Sequence, residues 1–102
     1  MVLMSVALRV QSNKRAEVLS ALDSVVERMR LRSGCARSRL FADAEDPDAY
    51  TVLSEFRSID DADQFFASKE FQLLKGMRML LRDEPSVVVD DIRRRVTRLV
   101  RE

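Results

Sequence analysis

The chain has 102 residues, 46% of them apolar, which is enough for one packed domain and leaves no room for a second of ordinary size. Eighteen basic and seventeen acidic residues leave a net charge of +1, so bulk electrostatics makes no case for a nucleic-acid partner or an anionic membrane surface. With no histidine and a single cysteine, an internal disulfide, a Cys/His metal cluster and a Cys-His nucleophilic pair are all excluded.

Val2 to Val10 alternates, with Val2, Met4, Val6, Leu8 and Val10 on one side and Leu3, Ser5, Ala7 and Arg9 on the other, which is the period of a strand. The apolar run is too short to span a bilayer and lacks the basic leader and cleavage site of an export signal, so the expected location is the cytoplasm. Ser12 or Asn13 can cap a following helix, predicted over residues 14–31, whose apolar stripe is Ala16, Leu19, Leu22, Val26 and Met29. Arg28, Arg30 and Arg32 gather at its C-terminal end, where positive charge opposes the negative end of the helix dipole. Gly34 follows as the residue best suited to leave the helix in the left-handed conformation.

Gly34 to Phe56 is the centre of the pattern. Cys35 to Ala42 and Tyr50 to Phe56 read as two strands, and Glu45-Asp46-Pro47-Asp48 supplies the turn between them. Cys35, inside a strand and away from any basic helix N-terminus, reads as a buried, inert thiol. Ser58 then caps a helix with Asp60 and Asp61 in its first turn and Ile59, Ala62, Phe65 and Phe66 as its stripe. Ser68 recaps the chain, and a helix over 69–81 turns Phe71, Leu74, Met77 and Leu81 inward, with Gly76 marking either a close backbone approach or an open surface. Beyond Pro85, residues 86–90 form the last strand, centred on Val87, Val88 and Val89.

The order strand, helix, strand, strand, helix, strand is the split pattern of a ferredoxin-like α+β domain: a four-stranded antiparallel sheet with helices on one face. Leu40 and Phe41 point oppositely, as do Val52 and Leu53, so apolar groups lie on both faces of the sheet while helices cover only one. At about 25 cal/mol per Å², leaving them bare forgoes several kcal/mol, and the expected remedy is a homodimer whose uncovered sheets face each other. The domain is expected to end near residue 91. The segment 92–102 carries five arginines and one glutamate, a local +4 that offsets the −4 of Asp83, Glu84, Asp90 and Asp91. Its Ile92, Val96, Leu99 and Val100 fall on one helical face, which fits docking on the protein, with the dimer as the expected surface, better than a nucleic-acid arm.

Five stretches carry a resemblance: S-G-C at 33–35, R-L-F at 39–41, A-E-D-P-D-A-Y at 44–50, L-S-E-F at 53–56 and S-I-D-D-A-D-Q-F-F-A-S-K-E-F at 58–71. In that order and spacing the chain resembles the antibiotic biosynthesis monooxygenase family of dimeric α/β barrels over roughly residues 1 to 90. The resemblance implies a homodimer that oxygenates small aromatic or quinol substrates of the polyketide-like kind without metal, flavin or any other cofactor. The substrate, once deprotonated, supplies the electrons to dioxygen. The protein need only bind a flat ring, favour its anion and exclude water.

On that reading the substrate lies in a cavity between sheet and helices, lined by Phe41, Phe56, Phe65, Phe66, Phe71, Met77 and Leu81, for most of which core packing is the competing role. For Glu55 an ion pair with an arginine stands ahead of the role of base, and Tyr50 is the group that could position a substrate hydroxyl. Arg39, with Arg9 and Arg37, is a candidate partner or anion stabiliser. Relatives that use tryptophan and histidine in the cavity cannot lend their mode of catalysis, because this chain has neither. The haem-degrading branch is set aside too, because the stretch FQLLKGMRMLL lacks the histidine that would hold iron. The alternative is a non-catalytic homodimer of the same fold that binds a small apolar ligand or a partner protein, since fold alone does not fix chemistry.

Overall fold

A computed structural model describes residues 1–91; the expectation of a docked C-terminal segment falls on residues 92–102, outside the described residues. The elements are β1 (Val2–Arg9), a 3-10 turn (Ser12–Lys14), α1 (Arg15–Arg30), β2 (Cys35–Ala42), β3 (Ala49–Phe56), α2 (Ile59–Phe66), α3 (Lys69–Gly76) with a 3-10 extension (Met77–Leu80), and β4 (Ser86–Asp91). The sheet is antiparallel throughout with strand order β2-β3-β1-β4. That is the predicted ferredoxin-like α+β arrangement, in which each β-α-β half contributes one central and one edge strand.

Alternation along β1 and β3 decides which residues meet the helices. Val2, Met4, Val6 and Leu8 pair across to Phe56, Ser54, Val52 and Tyr50, and all eight are buried on the helix side. Onto this face α1 lays Val18, Leu22, Val25, Val26 and Met29, while α2 adds Ala62 and Phe65, α3 adds Leu74, and the segment after it adds Met77 and Leu81. The predicted α1 stripe is therefore rotated: Val18 and Val25 take the buried positions, and Ala16 is exposed. Fully burying an aliphatic side chain of this size contributes about 1.5–3 kcal/mol, so this single layer supplies most of the drive to fold.

β2 breaks the period of two. The register shifts between Cys35 and Arg37, so Ala36 is an extra residue in the manner of a β-bulge. The parity of the strand flips there, which lets Cys35 and Ser38, three residues apart, both point to the core. Ser38 and Ser54 lie opposite each other and their buried hydroxyls are 3.0 Å apart, each satisfying the other. Cys35 is buried, as expected, and burial pushes its thiol pKa up.

Three local expectations are corrected. Neither Ser12 nor Asn13 caps α1: its N-cap is Lys14, with no side-chain hydrogen bond, because the Ser12 hydroxyl is spent on Asp48 at 2.6 Å. No described glycine has a positive φ, so Gly34 is not a left-handed helix exit. It is required instead by close approach: a β-carbon there would sit 2.3 Å from Cγ and Oδ1 of Asp61. Finally, the helix predicted to reach residue 81 ends at Gly76 and tightens into a 3-10 turn, which delivers Leu81 to an isolated bridge with Val10. Nothing lies within 4 Å of a β-carbon built at Gly76, so the open surface, not the close approach, is its setting.

Candidate functional site

The face of the sheet away from the helices presents three rows of side chains set by the register. Arg37, Glu55, Leu3 and Asp90 form one; Arg39, Leu53, Ser5 and Val88 the next; Phe41, Thr51, Ala7 and Ser86 the third. None of the described helices packs on this side, and Phe41 and Val88 are about half exposed at 49% and 50%. The rows are mixed in character, with charge concentrated at the β2 end. Arg37, Arg39, Phe41, Leu53 and Glu55 together surround a depression of about 220 Å³. Among the described residues Glu55, Arg37 and Arg39 make no ion pair within 4.0 Å, so a carboxylate and two guanidiniums stand side by side and uncommitted.

Phe41 is shared with a second groove of about 440 Å³ at the same end of the sheet, bordered by Ala7, Arg9, Tyr50, Thr51, Asp83 and Glu84. Arg9 spans this groove's rim, 3.6 Å from both Asp46 and Asp83, and is thereby neutralised. It is no longer an open anion site. Ligand pockets are usually about 300–1,000 Å³ and enclosed, so the depression of about 220 Å³ is smaller and more open than a complete ligand pocket.

The predicted residues divide between the two faces. Glu55, Arg39 and Phe41 come together on the bare face. Tyr50 and Phe56 belong to the same strand as Glu55 but to its other parity, and both are buried toward the helices. The Tyr50 hydroxyl donates to the carbonyl of Pro47 at 2.8 Å, tying the strand to its own turn. Phe56 and Phe65 are each only 1% exposed, with ring centroids 6.1 Å apart, and Phe65 continues to Phe66 at 5.8 Å and Phe71 at 5.5 Å. Phe66 and Phe71 meet edge to face at 5.0 Å. Met77 and Leu81 close the same packed layer. These residues interlock where the sequence suggested a chamber, and no lining of the described grooves joins them to Glu55.

One charged centre was not anticipated from the sequence. Asp48 is 4% exposed and gathers three elements: its carboxylate accepts from the Ser12 hydroxyl at 2.6 Å, from Arg15 Nη2 at 2.7 Å, and from Arg82. Ser12 and the two guanidiniums hold its pKa below the ordinary carboxylate range, and the same contact raises that of Arg15. A buried carboxylate with its lone pairs filled by two arginines is a structural pin, not a base. The only signal in the sequence was an aspartate placed just after a turn proline, which turn chemistry alone explained. Within that turn Asp43 accepts from the amides of Glu45 and Asp46, which lowers its pKa as well.

The described residues contain no group of three or more Cys, Asp or Glu side chains able to hold a metal ion, and no helix among them is long and apolar enough to cross a membrane. Strand order, bare face and helix layer together define a ferredoxin-like α+β protein. The family model for antibiotic biosynthesis monooxygenases matches residues 1–75, and the chain belongs to that family. Solved structures agree in fold. An antibiotic biosynthesis monooxygenase superposes with a TM-score of 0.82 at 23% identity, covering 89% of this chain and 97% of its own. A Deinococcus radiodurans protein described as a candidate antibiotic biosynthesis monooxygenase gives 0.89 at 14% identity, covering 98% and 100%. A Mycobacterium tuberculosis protein gives 0.84 at 18% identity, covering 94% and 98%. No curated protein is significantly similar in sequence.

Proposed function

We propose that the protein is a cofactor-independent monooxygenase of small aromatic or quinol substrates, working as a homodimer in which the bare sheet faces are apposed. The observation that carries this is the depression where Glu55, Arg37, Arg39 and Phe41 converge on that face. Family membership supplies the reaction class. In this reading Phe41 stacks on the substrate ring, Glu55 takes a proton from an acidic ring carbon or hydroxyl, and the two guanidiniums stabilise the resulting anion. The anion gives its electrons to dioxygen. At a ring methylene both C–H bonds break, one oxygen atom becomes the carbonyl and the other leaves as water, the carbon supplying four electrons; in a quinol the conversion of one ring C–H to C–OH and the oxidation of quinol to quinone supply two electrons each, with the second oxygen again leaving as water, so no external reductant is consumed. The facing sheet of a second copy provides the missing wall and excludes water.

Tyr50 takes a supporting part: its hydroxyl is engaged with Pro47, and the residue is among those lining the groove beyond Phe41. The interlocked phenylalanines under the helices favour one competing reading, a non-catalytic homodimer that binds a small apolar ligand or a partner protein. Oxygen uptake with a panel of hydroquinones separates the two. Turnover that falls at least about 100-fold in Glu55→Gln, with melting temperature unchanged, is expected from loss of a general base. Absence of turnover across the panel with ligand binding retained selects the competing reading. A monomer in sedimentation at micromolar concentration overturns both.

A further inference from the structure

The bare face is electrically divided, and Phe41 stands on the boundary. In the depression on one side of it, two guanidiniums, Arg37 and Arg39, outnumber one carboxylate, Glu55. In the groove on the other side the balance reverses: Asp43, Asp83 and Glu84 stand against Arg9, with Arg78 reaching Glu84 at 3.0 Å. The two cations of the depression are not equivalent. Arg37 lies directly opposite Glu55 across the β2-β3 pair, so a carboxylate already faces it. Arg39 lies opposite Leu53, and its neighbours two residues along the strand on the same face are Arg37 and Phe41. Asp23 and Glu27 share a groove with Arg39 at the β2 edge, but Arg30 shares it too, and neither acid comes within 4.0 Å of Arg39. Arg39 is therefore an exposed cation with no facing carboxylate in the described sheet, one row from the ring of Phe41.

We infer that the substrate of this site carries a permanent carboxylate on its aromatic ring, and that Arg39 is the residue that selects for it. The inference rests on the proposed function and deepens it by dividing the work of the two guanidiniums. Arg37, beside Glu55, faces the anion that proton removal creates, whereas Arg39 holds a charge present before and after the reaction. A planar guanidinium matches a carboxylate with two parallel hydrogen bonds, a geometry that a neutral ring substituent does not reproduce. Rows of the sheet two residues apart are separated by about 7 Å, so a ring stacked on Phe41 brings its substituent to the neighbouring Arg39. The acidic groove beyond Phe41 repels the same charge. Attraction on one side and repulsion on the other orient the substrate, with its carboxylate toward Arg39 and its uncharged part toward Ala7 and Thr51.

The test is a fluorescence titration of the full-length protein with 2-naphthoate and 2-naphthamide, which share a ring and a size and differ in charge. The wild type should bind the naphthoate at least roughly tenfold more tightly, and the ratio should shrink as salt rises from about 50 mM to about 500 mM. Arg39→Gln should bring the ratio close to one through loss of naphthoate affinity, and Arg39→Lys should keep part of it, because an ammonium retains the charge and loses the fork. Equal affinities in the wild type, no binding of either probe, or a preference that survives Arg39→Gln overturns the inference. Oxygen uptake with gentisate and with hydroquinone, the same ring without the carboxylate, separates this inference from the reading it rests on. If neither quinol is turned over while the naphthoate preference and its loss in Arg39→Gln remain, the monooxygenase reading fails and the carboxylate seat stands. If both are turned over with equal kcat/KM, the reaction stands and the seat fails.

Discussion

Replacing Gly34 by alanine probes the tightest contact in the fold. The added β-carbon would lie 2.3 Å from Cγ and Oδ1 of Asp61 and 2.6 Å from its Cβ. Real carbon atoms do not approach so closely, and because Cβ itself is involved, turning the Asp61 carboxylate aside is not enough. The aspartate is also committed: its amide donates to the Ser58 hydroxyl at 3.2 Å, and that hydroxyl donates back to Oδ2 at 2.8 Å, a reciprocal cap on α2. Overpacking of this kind costs about 1–3 kcal/mol, and loss of the cap about 1 kcal/mol more. The alanine recovers about 0.4–1 kcal/mol by restricting the unfolded chain. The net expectation is about 2 kcal/mol of destabilisation, or a fall in melting temperature of roughly 8–16 °C for a domain of this size. Thermal melts of Gly34→Ala, Asp61→Gly and the double variant check it. Since Asp61→Gly removes the three nearest atoms, the alanine should cost less than about 0.5 kcal/mol in that background. A Gly34→Ala protein that melts with the wild type refutes the close approach.

Gly76 provides the opposite case: a β-carbon there meets nothing, so Gly76→Ala should stabilise by about 1 kcal/mol in the same melts. Asp48 sets a pH dependence. Its folded-state pKa is lowered below that of the unfolded chain, so its contribution is present above the ordinary aspartate value near 3.8 and is lost as pH falls through the depressed folded value. Urea melts between pH 7 and pH 2 should show stability dropping at the acid end of that range, and Asp48→Asn should be less stable at neutral pH with a shallower acid loss. An unchanged acid profile in Asp48→Asn would remove the pin from the account.

The sequence made the sheet and its helix layer legible because long alternating or helical runs carry their own address. The runs in β1 and β3 are uninterrupted, and both strands lie where the pattern put them, β3 starting one residue earlier at Ala49. What escaped were features that depend on a distant partner. The bulge at Ala36 reverses the facing of Cys35, yet no residue type announces it, since alanine suits either parity. Ser12 looked like a cap because serine usually is one; its hydroxyl was claimed by Asp48, 36 residues away, which local propensity cannot foresee. Gly34 was rightly singled out, but for a left-handed exit that the backbone does not use, when the actual reason is a side chain on α2. The site was half legible: Glu55, Arg39 and Phe41 do meet, whereas Tyr50 and the phenylalanines of the helix layer were grouped with them by chemistry without regard to parity.

Parity along β3 also decides how function and stability are partitioned. Tyr50, Val52, Ser54 and Phe56 build the core, and Thr51, Leu53 and Glu55 face away from it, so the strand serves two environments with alternate residues. The groups proposed for chemistry therefore carry little of the packing energy, and the groups that carry it have no access to a substrate on the bare face. Such a face can change Arg37, Arg39 or Glu55 without disturbing the core, because exposed strand positions usually shift stability by no more than about 0.5 kcal/mol. The same separation is why the proposed function calls for a second sheet. A shallow depression of about 220 Å³ on one chain leaves both guanidiniums and the carboxylate in water, where their fields are damped by the solvent dielectric. In the proposed dimer, the surface pressed against it takes those three charges out of water and strengthens their fields.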